Sequence, residues 1–183
     1  MERSEQRGLT AAMTDLLKLL RPFGISVFAK ATALRDLGPD LSAAQKSRLR
    51  ESISDDIKKC SNFVPRSVSK GAQERAIRLP GAGPEVDLAA QSWHEQHAFD
   101  PGREIFHFEH MTPVSAVREA CLIAVSADEV AVVLASRIRV AWILKDEDLR
   151  LTKNGHRSKR PDPETAYREA GIDLIESEGR PSS

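Results

Sequence analysis

Hydrophobic residues recur every three or four positions along most of this chain, the spacing of amphipathic helices. The first such stretch covers residues 10–21 and is expected to end at Pro22 and Gly24, with a second helix over residues 25–37. A third helix is expected to start at Ser42, whose hydroxyl can cap it in a capping box. Further helices are predicted over residues 85–97, after Thr112-Pro113, from Ser126 to about Ala135, from Asp146 to Asn154-Gly155, and from Asp162-Pro163 to Gly171.

A smaller part of the chain has the pattern of strands. Residues 103–111 alternate between apolar and polar side chains, and residues 138–144 form an apolar run rich in β-branched and aromatic residues. A short third strand is predicted over residues 76–79. We therefore expect an α+β fold that is predominantly α-helical, with a small two- or three-stranded sheet.

The 183 residues are enough for one domain with a substantial core. We expect a single domain over residues 1–175, followed by a disordered tail at 176–183. Within the domain, residues 8–62 are expected to form a helical scaffold, residues 63–86 a loop-rich connector containing LPGAGP, and residues 87–175 the region of the functional site.

The net charge is zero, but its distribution is uneven. Residues 1–80 carry 15 Lys and Arg against 9 Asp and Glu, whereas residues 81–144 carry 4 against 9. Such a split favours either a phosphate-facing surface beside an acidic site or two parts that neutralise each other. The sequence has no apolar run of membrane-spanning length, and Cys60 and Cys121 lie on apolar helical stripes, so we expect a cytoplasmic protein without disulfides.

The chemistry-bearing side chains are concentrated in residues 92–116. This stretch holds four of the five histidines, with acidic residues between them: His94, Glu95, His97, Asp100, Glu104, His107, Glu109 and His110. Imidazole and carboxylate groups can bind a metal ion or transfer protons near neutral pH. In the predicted strand, His110 shares one face with Phe106 and Phe108, while His107 and Glu109 share the other.

The segment FEHMTPVS, within residues 106–115, resembles the first half of the HNH-type (ββα-metal) nuclease motif. The resemblance implies that His110 at the strand end would be the general base and Glu109 a metal ligand. The Asn and second His of that motif have no counterpart at the usual interval. The other common nuclease design, with Glu-x-Lys, is disfavoured because no lysine lies between Lys70 and Lys145.

From these residues we predict a candidate site in three parts. His110, His107 and Glu109 are the candidate catalytic residues, and His94, Glu104 and Glu109 are the candidate ligands of a divalent Mg, Mn or Zn ion. A basic loop is the candidate phosphate-binding segment, because clustered cations favour a polyanion. It comprises Lys153, His156, Arg157, Lys159 and Arg160.

Our first hypothesis is a metal-dependent nuclease that acts on DNA or RNA in a bacterial defence or restriction setting. A homodimer is the candidate assembly. The alternative is a non-enzymatic protein-binding or DNA-binding module in which the histidine cluster is buried and structural. The two hypotheses differ in whether Glu109 and His110 cluster in a cleft with a cation, as a nuclease requires, or are scattered or buried. A helix-turn-helix regulator would need a turn between paired helices, and the sequence has no clear one.

Overall fold

The computed structural model describes residues 2–79, 87–157, 160 and 162–175, with side chains from residue 11 onward. The predicted LPGAGP loop, apart from Leu79, and the predicted disordered tail at 176–183 lie outside the described residues. The described chain divides into two compact units. One contains the segments up to Val64 and Val114–Ile138, and the other contains Pro65–Pro113 and the chain from Arg139 onward.

The described residues form eight α-helices, four strands and three short 3-10 turns. The helices and strands in chain order are α1 (Glu2–Asp36), α2 (Ala43–Cys60), β1 (Arg66–Ser69), α3 (Lys70–Ile77), α4 (Gln96–Phe99), β2 (Phe106–His110), α5 (Val114–Leu122), α6 (Ala127–Arg137), β3 (Val140–Leu144), α7 (Lys145–Lys153), α8 (Pro163–Glu169) and β4 (Leu174–Ile175). The predicted α+β class with predominantly helical content is confirmed.

The first unit is a bundle of α1, α2, α5 and α6. The expected end of the first helix at Pro22 is wrong, because α1 continues through this proline to Asp36. A proline inside a helix removes one backbone hydrogen bond, and burial of Leu20 and Val27 on either side of it favours continuing the helix. Gly24 does not end the helix either. A Cβ there would stand 2.7 Å from the carbonyl oxygen of Ala127, so the glycine allows α1 and α6 to approach closely.

Two helix starts in the first unit follow the predicted caps. The Ser42 hydroxyl accepts the backbone N–H of Gln45, whose side chain accepts the N–H of Ser42, which completes the capping box of α2. The Ser126 hydroxyl accepts the N–H of Glu129 at the start of α6. Both predictions are confirmed, since each depends on residues within one helical turn.

The second unit is built on a four-stranded sheet in the order β2-β3-β1-β4. Strand β3 pairs in parallel with β1 and antiparallel with β2, while β4 pairs antiparallel with β1. The strand predicted over residues 76–79 is wrong, because residues up to Ile77 belong to helix α3. The Ser69 hydroxyl caps that helix by accepting the N–H of Ala72, so the strand lies earlier, at Arg66–Ser69.

Each face of the sheet carries its own hydrophobic core. One core combines Phe106 and Trp142 with Val68 of β1, Ala72 and Ala76 of α3, and Leu88 of a 3-10 turn. The other combines Ala141 and Ile143 of β3 with Met111 just after β2, Leu151 of α7, Ala166 and Tyr167 of α8, and Ala170 and Ile172 just after α8. The candidate site lies on this second face.

Helices α7 and α8 position residues on that face. The Asp162 carboxylate accepts the N–H groups of Glu164 and Thr165, which confirms the predicted start of α8. The predicted start of α7 at Asp146 is wrong. The helix starts one residue earlier, and the buried Glu147 side chain accepts the N–H of Leu144 instead. The helix predicted over residues 85–97 is replaced by short 3-10 turns and the four-residue α4.

Candidate functional site

Strand β2 divides its polar side chains between the two faces of the sheet. His107 lies opposite Ile143 and Glu109 opposite Ala141 in the antiparallel pairing with β3, so both belong to the face covered by the C-terminal helices. His110 belongs to the other face, where its ring contacts that of Phe108 at a centroid distance of 6.4 Å. The strand therefore brings His107 and Glu109 together and directs the side chain of His110 away from them.

Glu109 is the centre of an ion-pair network. Its Oε2 atom lies 2.8 Å from Nε2 of His107, and its Oε1 atom lies 2.6 Å from Nη2 of Arg160. The Glu109 side chain is 14% exposed and that of Arg160 is 1% exposed. A charge-assisted pair of this length in a nearly dry environment is a strong interaction.

Arg160 is fixed by backbone acceptors as well as by Glu109. Its Nη1 atom donates to the carbonyl oxygen of His110 at 3.0 Å, and its Nε atom donates to the carbonyl oxygen of His156. The sequence predicted Arg160 as a phosphate contact of an exposed basic loop. The burial of Arg160 contradicts the expected exposure. Its guanidinium is paired with the carboxylate of Glu109 and is therefore not offered to an incoming phosphate.

The network shifts the proton affinities of both β2 residues. The hydrogen bond with Glu109 raises the pKa of His107, against the opposing effect of burial. Burial by itself would raise the pKa of Glu109. The hydrogen bond with His107 and the charge of Arg160 outweigh it and hold that pKa below its usual value. Glu109 is therefore ionised at neutral pH, as a metal ligand or an anchor for His107 must be.

Asp148 on α7 adds a second carboxylate to the site. His107, Glu109 and Asp148 each offer one ligand atom, and the three atoms lie within 4.8 Å of one another. Within the described residues, this is the one group of three or more His, Cys, Asp or Glu with such geometry. Asp148 itself has no hydrogen bond or ion pair to any residue that the structure describes. Its carboxylate is available for a cation.

Tyr167 on α8 completes the lining of this face. Its side chain is 1% exposed in the core formed with Ala141 and Ile143, and its ring centroid lies 5.8 Å from the guanidinium carbon of Arg160. Its hydroxyl oxygen is buried and has no hydrogen-bond partner among the described residues.

The predicted metal ligands divide between the site and the surface. Glu109 belongs to the cation group, whereas His94 and Glu104 do not. His94 is exposed in a 3-10 turn, with its ring against Trp93, and Glu104 is exposed ahead of β2. His94 and Glu104 are close to Glu109 in sequence but are not part of its site. The 3-10 turn that holds His94 and the segment before β2 that holds Glu104 lie outside the contact between β2 and α7.

The predicted phosphate-binding residues also have different surroundings. Lys153 and Arg157 are exposed. His156 pairs with Glu169 at 2.9 Å, and Lys159 lies outside the described residues. Within the described part of the predicted loop, the positively charged side chains of Lys153 and Arg157 are therefore the two that are available to an incoming anion.

Asp148 and Tyr167 did not emerge as candidates from the sequence. Asp148 lies three residues before the buried Leu151, a spacing that puts both on neighbouring positions of one helix side. Tyr167 follows the buried Ala166 on α8. These spacings indicate inward-facing positions. They do not indicate the contact with Glu109, which arises because β2 pairs antiparallel with β3 and α7 directly follows β3.

Comparison of the chain with family models, with curated proteins and with solved structures gave no match. No helix of the described chain combines the length and the apolar character that crossing a membrane would require. Cys60 and Cys121 are free and buried in the first unit, and burial raises the pKa of each thiol to about 12. A reactive thiolate is therefore not part of the candidate chemistry.

Proposed function

We propose that the second unit binds a divalent cation at His107, Glu109 and Asp148 and uses it to hydrolyse phosphodiester bonds of nucleic acid. The observation that carries this proposal is the group of three ligand atoms within 4.8 Å of one another. It retains the nuclease hypothesis from the sequence, but Asp148 replaces His94 and Glu104 as a metal ligand, and His107 is a ligand rather than the general base.

The donor set supports a cation of the Mn²⁺ or Zn²⁺ kind. One imidazole nitrogen and two carboxylate oxygens are ligands that these ions accept together, whereas Mg²⁺ prefers oxygen alone. The hydrogen bond with His107 and the charge of Arg160 outweigh burial and hold the pKa of Glu109 below its usual value, so its carboxylate is in the ionised state that binds a cation. Binding would require His107 to lose a proton, so the affinity should increase with pH.

The reaction needs a nucleophile, a charge-stabilising group and an anchor for the substrate. A bound cation would supply the first two, since it lowers the pKa of its water and polarises a phosphoryl oxygen. In the hydrolysis, the water oxygen would form a bond to phosphorus while the bond from phosphorus to the leaving oxygen breaks, and the proton released by the water would pass to the leaving oxygen. Lys153 and Arg157 are exposed at the end of α7 and just beyond it, where they can contact neighbouring phosphates.

The test uses Asp148→Asn, with Asp146→Asn as its matched control. Both substitutions remove one negative charge from the first four residues of α7, but Asp146 is exposed and is no member of the cation group. Cation binding is measured by titration calorimetry with Mn²⁺ and Zn²⁺. Cleavage is measured on supercoiled DNA and on single-stranded RNA with each cation and with EDTA.

We expect the wild-type chain and Asp146→Asn to bind a cation and to cleave, and Asp148→Asn to lose at least about tenfold in affinity and most of the cleavage. Cation binding by the wild-type chain without cleavage of either substrate would refute the nuclease and leave a cation-binding protein. Equal affinity in the two variants would refute the ligand assignment.

One observation favours the alternative hypothesis of a non-enzymatic module. Glu109 already has His107 and Arg160 as partners, the arrangement of an ion-pair network that connects the strand to the C-terminal segment. In that case neither cation would bind, and Asp148→Asn would behave as the surface substitution Asp146→Asn does. The same calorimetric comparison thus distinguishes the two functions.

A further inference from the structure

The hydroxyl of Tyr167 stands out among the polar groups of the sheet face that carries the site. The phenol ring is enclosed in the core, yet its oxygen makes no hydrogen bond to any described residue. Buried hydroxyls in folded proteins normally have a partner, because a hydroxyl that leaves water without one is destabilising. An unpartnered donor of this kind is a position at which a water or a ligand atom can form a hydrogen bond.

The surroundings of that hydroxyl are those of the cation group. The Arg160 guanidinium lies near the ring, and the residues whose charges act on the hydroxyl include Glu109 and Asp148. Burial, followed by the charge of Glu109, raises the pKa of Tyr167. The phenol therefore stays protonated at physiological pH and can only donate or accept as a neutral hydroxyl, not replace a carboxylate as an anionic ligand.

The three ligand atoms do not fill the coordination sphere of a divalent ion. Zn²⁺ takes four or more ligands, Mn²⁺ takes about six, and the remaining positions are held by water or by oxygens of the substrate. A water at such a position needs further hydrogen-bond partners from the protein. The Tyr167 hydroxyl is a buried group of the right kind, and its ring is fixed by packing against Ala141 and Ile143.

We propose that the Tyr167 hydroxyl forms a hydrogen bond with an oxygen ligand of the cation held by His107, Glu109 and Asp148, either its water or a phosphoryl oxygen that replaces the water. Tyr167 is then a positioning residue, which orients the ligand without contacting the ion. The inference rests on the cation site of the proposed function and is independent of whether the protein cleaves nucleic acid.

Tyr167→Phe is the appropriate substitution, because it removes the hydroxyl and keeps the ring that fills the core. Two properties are measured. One is the affinity for Zn²⁺ and Mn²⁺ by calorimetry, and the other is the urea midpoint of the cation-free protein. We expect an affinity about five- to tenfold lower than that of the wild-type chain, the effect of one lost hydrogen bond. The cation-free midpoint should be unchanged or higher, because no hydrogen bond to a described residue is lost in the cation-free state.

A second measurement needs no substitution. Tyr167 is the one tyrosine of the chain, so labelling tyrosine with ¹³C at the ring carbon that bears the hydroxyl gives a single NMR resonance. Addition of Zn²⁺ should shift that resonance in the wild-type chain, and the same shift should need at least about tenfold more Zn²⁺ in Asp148→Asn. Because this readout uses the unaltered side chain, it remains decisive even if Tyr167→Phe folds poorly.

The outcomes separate this inference from the proposed function. If Zn²⁺ and Mn²⁺ bind the wild-type chain and Tyr167→Phe equally and the tyrosine resonance does not move, the role of Tyr167 is overturned while the cation site stands. If the wild-type chain binds neither ion, both the inference and the cation site are overturned. A lower affinity in Tyr167→Phe together with a shifted wild-type resonance supports the inference, whether or not any nucleic acid is cleaved.

Discussion

Replacement of Arg160 by methionine tests whether the ion-pair network holds the second unit together. Methionine keeps most of the length and the apolar stem of arginine but removes the guanidinium. The variant loses the 2.6 Å ion pair with Glu109 and the hydrogen bonds to the carbonyl oxygens of His110 and His156. The control is Arg157→Met, the same substitution three residues earlier at an exposed position.

The expected loss follows from the burial of both groups. The side chains of Arg160 and Glu109 are 1% and 14% exposed, and removal of one partner from a buried ion pair costs about 3–5 kcal/mol. His107 remains as a partner of Glu109, which reduces the expected loss to about 2–4 kcal/mol. Domains of this size unfold with about 5–15 kcal/mol, so the effect should be large. Arg157→Met should change the free energy of unfolding by no more than about 0.5 kcal/mol.

The measurement is urea unfolding followed by tryptophan fluorescence. Trp142 is fully buried in β3 of the same unit, so its emission reports loss of this core. With a urea dependence of about 2 kcal/mol per molar, the midpoint of Arg160→Met should fall by roughly 1–2 M. A double-mutant cycle with Glu109→Gln isolates the pair, since the glutamine leaves no unpaired charge once Arg160 is replaced.

Two results would refute this reasoning. One is a loss below about 1 kcal/mol in Arg160→Met, which would mean that the carboxylate of Glu109 reaches water without the arginine. The other is additivity within about 0.5 kcal/mol in the cycle, which would mean that Arg160 acts through its backbone contacts alone.

Two further substitutions test the packing and capping that support the fold. Gly24→Ala should destabilise the protein by about 1–2 kcal/mol in urea unfolding, because the new Cβ would meet the carbonyl oxygen of Ala127 at 2.7 Å and this outweighs the gain in helix propensity. Gly38→Ala has open space around the new Cβ, so a loss as large as that of Gly24→Ala would contradict the steric explanation. Asp100→Asn should lose about 1–3 kcal/mol at pH 7, since burial tends to raise the pKa of Asp100 while the stronger combined effect of hydrogen bonds, from Phe106 N–H first, lowers it. That stabilisation is present above the unfolded pKa of about 3.9 and is lost as the pH falls through the lower folded value, so a difference that persists undiminished at about pH 2 would contradict the role of the carboxylate.

Local residue patterns were enough to predict several elements of this protein. The Ser42 and Ser126 caps, the alternation in β2 and the apolar run of β3 each depend on residues within a few positions of one another. The face of His107 and Glu109 followed from the same alternation, because successive side chains of a strand point to opposite sides. These features needed no knowledge of the rest of the chain.

Other elements depended on contacts that the local pattern does not contain. Pro22 and Gly24 are usual signs of a helix end, but α1 continues because its buried residues pack within the helical unit and Gly24 accommodates the backbone of α6. Residues 76–79 have the composition of a short strand, but the Ser69 cap starts helix α3, which continues to Ile77. In both places tertiary packing or a neighbouring cap outweighs a weak local preference.

The candidate site shows the same division more sharply. The sequence placed Glu109 and His107 on one face of a strand, and that much was determined by the side-chain alternation of β2. Arg160, Asp148 and Tyr167 are 39 to 58 residues further along the chain, and they reach Glu109 only because β3 pairs antiparallel with β2 and the two helices that follow pack on that face. Sequence separation carries no information about such contacts, since they are set by strand pairing and by burial of the second hydrophobic core, which only the folded chain defines.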